Sequence, residues 1–159
     1  MLLALCVSTA THSQNTSLPL TDKDRKAIVQ SVFNDGFDEL NATLVTANIL
    51  NNCLTPILNN QKVSFISTRN IESKFVPQLA GKHFEFLTPE KIAEQVKALD
   101  GECYFEFRRF EVVNSKVVVE FGKYLKRPVY IYGESFRYEY RKVRGKWKKK
   151  YIGKTIIES

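Results

Sequence analysis

The sequence predicts an α+β fold in which helices pack on an antiparallel sheet. Two observations carry that expectation: apolar residues recur at helical spacing in the N-terminal third, and strict period-two alternation begins near Tyr104, cut by turn signals. The 159 residues, 43% apolar with eleven Phe and seven Tyr, fit one domain with its own core and exclude a disordered chain. No apolar run approaches the roughly eighteen residues that a membrane span needs.

Residues 1–10 read as a leader. Leu2 to Val7 is a short apolar stretch, and Ser8 and Ala10 put small residues where cleavage after Ala10 needs them. Met1 runs straight into leucine, so the basic start of an export signal is missing and the leader reads as truncated. The export reading makes the protein secreted or periplasmic, with a mature chain starting near Thr11. A lipid anchor at Cys6 and a frayed apolar terminus are the alternatives. Residues 11–20, rich in Ser, Thr, Asn and Gln, form a polar linker, which leaves 21–159 as the single domain.

Thr21-Asp22-Lys23-Asp24 offers a helix start, a hydroxyl cap with an acid three residues on. Ile28, Val29, Val32 and Phe33 follow at helical spacing, and Phe37 and Leu40 extend the stripe past Gly36. Gly36 either stops this helix or only weakens it. Leu44 to Leu58 is ambiguous between helix and strand, although Pro56 argues against helix. Strands are expected at Lys62–Ser67 and Lys82–Leu87, and Thr88-Pro89-Glu90 opens a second helix that carries Ile92, Val96 and Leu99 and ends at Gly101.

From Tyr104 on, turns at Asn114-Ser115 and Arg144-Gly145 give four strands in two hairpins. Phe105 and Phe107 share one phase and Phe110 and Val112 the other, so a β-bulge at Arg108-Arg109 is needed to put both pairs on the core face. A two-residue first turn sets Val112 opposite Val117, Phe110 opposite Val119 and the bulged arginines opposite Glu120. A two-residue second turn sets Tyr138 opposite Tyr151 and Lys142 beside the Trp147 indole. Phe136, Tyr138, Tyr140, Trp147 and Tyr151 are then expected on the face that meets the helices, with Arg137, Glu139 and Arg141 outward.

Helices before a sheet that ends in Tyr138-x-Tyr140-Arg141-Lys142-x-x-Gly145-Lys146-Trp147 resemble the nuclear transport factor 2-like, cystatin-like α+β superfamily, and its uncharacterised exported bacterial members in particular. The resemblance implies N-terminal helices packed on a curved, cone-like sheet. The superfamily includes enzymes, ligand binders and scaffolds, so the resemblance selects no activity.

Charge is divided unevenly: residues 1–107 hold nine basic and twelve acidic side chains, and 108–159 hold fifteen and five. Arg141, Arg144, Lys146, Lys148 and Lys150 are the candidate anion-binding residues, with Tyr and Trp interleaved among them in sequence. The competing explanation is that lysines on an outer strand are a solvated face that discourages edge pairing. Cys53 and Cys103 either form a disulfide in an oxidising compartment or are two separate thiols.

No metal or cofactor is expected, because these cysteines with His83 make no ligand cluster and the glycines form no phosphate loop. Acid–base chemistry has Glu106, Glu134 and Glu139 with Tyr104, Tyr130 and Tyr138 to draw on, and spacing selects no pair. The expected function is therefore an exported, non-catalytic domain with a small molecule or protein bound in a concavity between helices and sheet. An anionic polymer on the basic strands is the alternative, and an isomerase or dehydratase the third reading.

Overall fold

The structure is a computed structural model that describes residues 19–46, 57–58, 61–99 and 101–159. The leader at 1–10, most of the linker, Cys53 and residues 47–56 of the ambiguous segment lie outside the described residues. The elements are α1 (Asp22–Thr46), β1 (Ile57–Leu58), β2 (Gln61–Ser67), β3 (His83–Leu87), α2 (Pro89–Leu99), β4 (Glu102–Val113), β5 (Lys116–Lys126), β6 (Ile131–Val143) and β7 (Lys146–Glu158). Together they make an α+β fold, two helices on a mostly antiparallel sheet.

α1 begins with the expected cap. The Thr21 Oγ1 accepts from the Asp24 N–H at 3.2 Å, and the Asp24 carboxylate accepts from the Thr21 hydroxyl at 2.8 Å. Gly36 does not end the helix. A Cβ there would lie 3.3 Å from the Tyr138 hydroxyl oxygen and 3.5 Å from the Phe136 ring, so glycine lets α1 lie close against the sheet.

The sheet runs β1-β2-β4-β5-β6-β7, with β3 also paired to β2. β4 to β7 form the antiparallel meander, and its register follows from the alternation. Val112 faces Val117, Phe110 faces Val119, Arg109 faces Glu120, and the ladder shifts between Phe107 and Arg109. Lys142 faces Trp147 and Tyr138 faces Tyr151. Both turns have positive φ at their two central residues, at Asn114 and Ser115 and at Arg144 and Gly145, as tight hairpins require. A further shift, between Arg137 and Tyr138, leaves Ile152 as the extra residue on β7.

β2 departs from the antiparallel expectation, since it pairs in parallel with both β3 and β4. Parallel neighbours need crossovers. The β2–β3 loop supplies Ile71 and Phe75 to the core that α1 shares with Phe105, Phe107, Phe121, Phe136, Tyr138 and Tyr140. The β3–β4 crossover contains α2, whose Ile92 and Val96 pack with Val63, Phe65, Leu87, Tyr104 and Tyr124. Tyr104 alternates with Phe105 along β4, and Phe65 with Ile66 along β2, so α1 and α2 cover opposite faces. The expectation that helices gather on one face is corrected accordingly: α2 is a crossover helix between parallel strands, and such a helix lies across the sheet from the loop that crosses on the other side.

Phe136, Tyr138 and Tyr140 are buried on the α1 face, with Trp147 half-buried beside them. Tyr151 is on the same face, its ring centroid 5.9 Å from that of Tyr138, but it is 54% exposed on β7, the edge strand.

Lys123 is buried on the α1 face, its ammonium 5.4 Å from the Phe105 ring centroid. Glu134, opposite it on β6, pairs with Lys154 at 2.8 Å. Burial pushes the Lys123 ammonium down to about 8. An unfolded lysine titrates near 10.4, so between pH 8 and 10 the unfolded chain binds more protons and stability rises with pH. The rise ends where unfolded tyrosines ionise, because burial holds the Tyr104 and Tyr140 phenols up to about 12 in the fold. Urea midpoints at pH 7.5, 8.5 and 9.5 are expected to climb in the native protein and to stay level in Lys123→Met. A native midpoint that falls across this range would contradict a desolvated ammonium.

Candidate functional site

Alternation along β4 places Tyr104, Glu106 and Arg108 on the α2 face, opposite the phenylalanines at 105 and 107. Parallel pairing of β2 with β4 sets Ser67 directly beside Glu106. These residues floor a cleft of about 390 Å³. One wall is the first turn of α2, with Pro89 and Ile92; the other is the β5–β6 connection, with Lys126, Arg127 and Tyr130. Thr88 caps that first turn, its hydroxyl oxygen accepting from the Lys91 N–H at 3.3 Å.

The Glu106 carboxylate is 5% exposed at the residue level. It accepts from the Ser67 hydroxyl at 3.3 Å and faces the Arg69 Nε at 3.6 Å. Arg69 itself is mostly solvent-exposed and reaches in from the loop after β2. Asn70, next to it, donates to the Phe107 and Arg108 carbonyls at 2.6 and 2.8 Å, which ties this loop to the bulge. The Arg108 guanidinium lies 5.6 Å from the Tyr124 ring centroid, and that of Arg127 5.7 Å from the Tyr130 ring. The Tyr104 phenol is pushed up to about 12 by burial and then by the charge on Glu106, so at neutral pH it is a hydrogen-bond donor.

Arg69, Arg108, Lys126 and Arg127 therefore converge on a concavity whose buried carboxylate is Glu106. The arrangement can hold an anionic group at its rim and accept a hydrogen bond from a hydroxyl or amine at its floor. No family model, curated protein or solved structure matches the chain.

Of the residues available for acid–base chemistry, Glu106, Tyr104 and Tyr130 meet in this cleft. Glu134 is on the α1 face with Lys154, Tyr138 is in the α1 core, and Glu139 pairs with Lys116 at 3.0 Å on the outer sheet. The five candidate anion-binding residues lie elsewhere. Arg141, Lys146, Lys148 and Lys150 are exposed on β6 and β7, and Arg144 is in the turn between them. The aromatics that interleave with them in sequence point to the opposite face, a direct result of period-two alternation. Cys103, on β4, is disulfide-bonded, and Cys53 lies outside the described residues. Among the described residues no three His, Cys, Asp or Glu side chains gather to hold a metal, and no helix is long and apolar enough to cross a membrane.

Sequence reasoning missed Arg69, Lys126 and Arg127 as site residues, and treated Arg108 only as part of a bulge. The available signal was the polar phase Tyr104, Glu106, Arg108 on a strand whose other phase carries Phe105, Phe107 and, past the bulge, Phe110. Arg69 and Arg127 come from two loops and Lys126 from the end of β5, and the approach of Arg69 depends on the parallel β2–β4 pairing.

Proposed function

We propose that this protein is an exported ligand-binding module of the nuclear transport factor 2-like kind, with a cone-like sheet and a Cys53–Cys103 disulfide, and that the cleft on its α2 face takes a small organic anion. The observation that carries the reading is the convergence of Arg69, Arg108, Lys126 and Arg127 on a cleft of ligand size, with Tyr104 and Glu106 at its floor. Four cations brought together in a concavity repel one another, and an anion relieves that repulsion.

Isothermal titration and thermal shift with inorganic phosphate, citrate and glucuronate test it. At least one is expected to bind saturably and raise Tm in proportion to occupancy. Arg108→Gln should weaken that binding about ten- to a hundredfold, the worth of roughly one charge-assisted hydrogen bond. Lys97→Gln, at the far end of α2, should leave it unchanged. Shifts no larger than those from equal ionic strengths of chloride would overturn the reading.

A second reading, acid–base chemistry of the isomerase or dehydratase type, is favoured by the buried Glu106 carboxylate beside the Tyr104 phenol in an open cleft. Recovery of the bound anion chemically unchanged after long incubation separates a binder from an enzyme.

A further inference from the structure

The outer end of the α2 face carries a different feature, ten residues along β5 from Lys126 and four to five from the level of Arg108, so roughly 15 Å beyond the near edge of the cleft. Lys116 on β5 stands directly opposite Arg141 on β6, and Arg141 stands directly opposite Lys148 on β7. Three cations therefore form one row across three neighbouring strands, with strand spacings of about 4.8 Å. Like charges at directly opposed positions destabilise a sheet. Lys146 and Lys150 flank the row on β7, on the same face as Lys148.

Carboxylates offset part of this charge. Lys116 pairs with Glu139 at 3.0 Å, and Arg109 pairs with Glu111. Glu120 accepts from the Ser135 hydroxyl at 2.9 Å. Among the described residues Arg141, Lys146, Lys148 and Lys150 have no carboxylate within 4 Å, although Glu139, directly opposite Lys150, acts on Lys150 and Arg141 at longer range. Edge protection accounts for lysines on β7, the edge strand. It does not account for Arg141 on β6 or Lys116 on β5, which are interior strands.

We propose that this row is a second binding site, for an anionic polysaccharide lying across β5, β6 and β7. The choice among polyanions follows from what else the face carries. Its neighbours are Val113, Val118 and Val143, with the tyrosines and Trp147 turned to the other side, so it has no aromatic platform for unstacked bases. Among the described residues no helix projects from it to enter a duplex groove. Among the described residues the exposed large apolar side chains near the row are Val143, Ile152 and Tyr151, of which Tyr151 is turned to the α1 face, too few to insert among lipid headgroups. A flexible chain with acid groups on its repeating units needs none of these features, only cations in register.

The test uses the full chain and fluorescently labelled heparin, followed by anisotropy from 50 to 300 mM salt. Arg141→Gln/Lys148→Gln is compared with Lys91→Gln/Lys97→Gln, which removes the same charge from α2. The row double variant is expected to bind about tenfold or more weakly at physiological salt and to lower the slope of log K against log salt by about one to two, while the α2 variant stays within about twofold of the native protein. Equal weakening by both variants would reduce the effect to net charge and overturn the site. Tighter binding of single-stranded DNA or of phosphatidylserine vesicles than of heparin, lost in the row variant, would overturn the assignment to polysaccharide. Neither double variant touches a cleft residue, so the small-anion titrations remain as an independent measurement.

Discussion

Gly133→Ala is expected to destabilise the protein by about 3 kcal/mol, while Gly153→Ala stays within about 0.5 kcal/mol. Gly133 on β6 stands directly opposite Tyr124 on β5, and the phenol lies over it. A Cβ at Gly133 would run into the Tyr124 ring at Cδ1 and come within 2.7 Å of the Lys123 carbonyl oxygen. Gly122, two residues before Tyr124 on the same face, is equally constrained, since a Cβ there would come within 2.7 Å of the Ser135 Cβ. The tyrosine is fully buried between these glycines, the Tyr104 ring at 5.9 Å and the Arg108 guanidinium, so it has nowhere to move. Around Gly153, by contrast, nothing comes within 4 Å of an added Cβ. Urea titrations of the two variants check the order. Equal small losses would mean that the α2-face core yields easily, and a soft core there would not hold Arg108 at the cleft.

The same tyrosine shows where the sequence was legible and where it was not. Alternation is a local property, and within the two hairpins β4–β5 and β6–β7 it predicts register, both turns and the bulge at Arg108-Arg109, because each follows from keeping one phase apolar, whereas the β5–β6 pairing and the second bulge at Ile152 are not read from it. Gly122 and Gly133 carry no such local message. Eleven residues separate them, and their shared role as the floor under one ring appears only once β5 and β6 are paired. The cleft fails for the same reason at larger scale: Ser67 meets Glu106 across 39 positions through a parallel pairing between strands joined by a loop, β3 and α2. Nothing in the local pattern of Lys62–Ser67 distinguishes a parallel strand from an antiparallel one. Placing α2 on the α1 face is an error of this kind, since an amphipathic helix states which of its own faces is buried but not which side of the sheet receives it.

The candidate basic residues illustrate the converse. Their identity and exposure could be read locally, because Lys146, Lys148 and Lys150 occupy one phase of β7 and Trp147, Lys149 and Tyr151 the other. What could not be read is that the row continues inward to Arg141 and Lys116. Lys149, in the apolar phase, behaves differently from its neighbours: it pairs with Asp35 of α1 and lies 5.2 Å from the Tyr138 ring. Six consecutive residues, 146–151, thus serve two faces with separate roles, one fastening α1 and one facing solvent.

Trp147→Ala is expected to cost about 3 kcal/mol, and Lys148→Ala, on the opposite face, no more than about 0.5 kcal/mol. The indole packs at the edge of the α1 core, and its Nε1 donates to the Asp24 carboxylate at 2.7 Å. Asp24 also accepts from the Lys142 ammonium at 2.9 Å and the Thr21 hydroxyl at 2.8 Å, while Lys142 lies 5.5 Å from the indole centroid. One carboxylate therefore joins the cap of α1 to the terminal hairpin across more than a hundred residues of sequence. Hydrogen bonds from Lys142, then Trp147, then Thr21 hold its carboxyl well below the usual carboxylate range. The sign of the pH dependence follows: a depressed native pKa contributes stability above the unfolded value near 3.9, and that contribution is lost as pH falls below it. Trp147→Phe keeps most of the ring and removes only the donor, so it should cost about 1 kcal/mol at pH 7, with native and variant stabilities converging below about pH 4. Denaturant midpoints at pH 7, 4 and 3 measure this. A Trp147→Ala loss as small as that of Lys148→Ala would mean that the hairpin tip is a peripheral flap; a Trp147→Phe loss that persisted unchanged into acid would mean that ring packing, not the bond to Asp24, fastens the hairpin to α1.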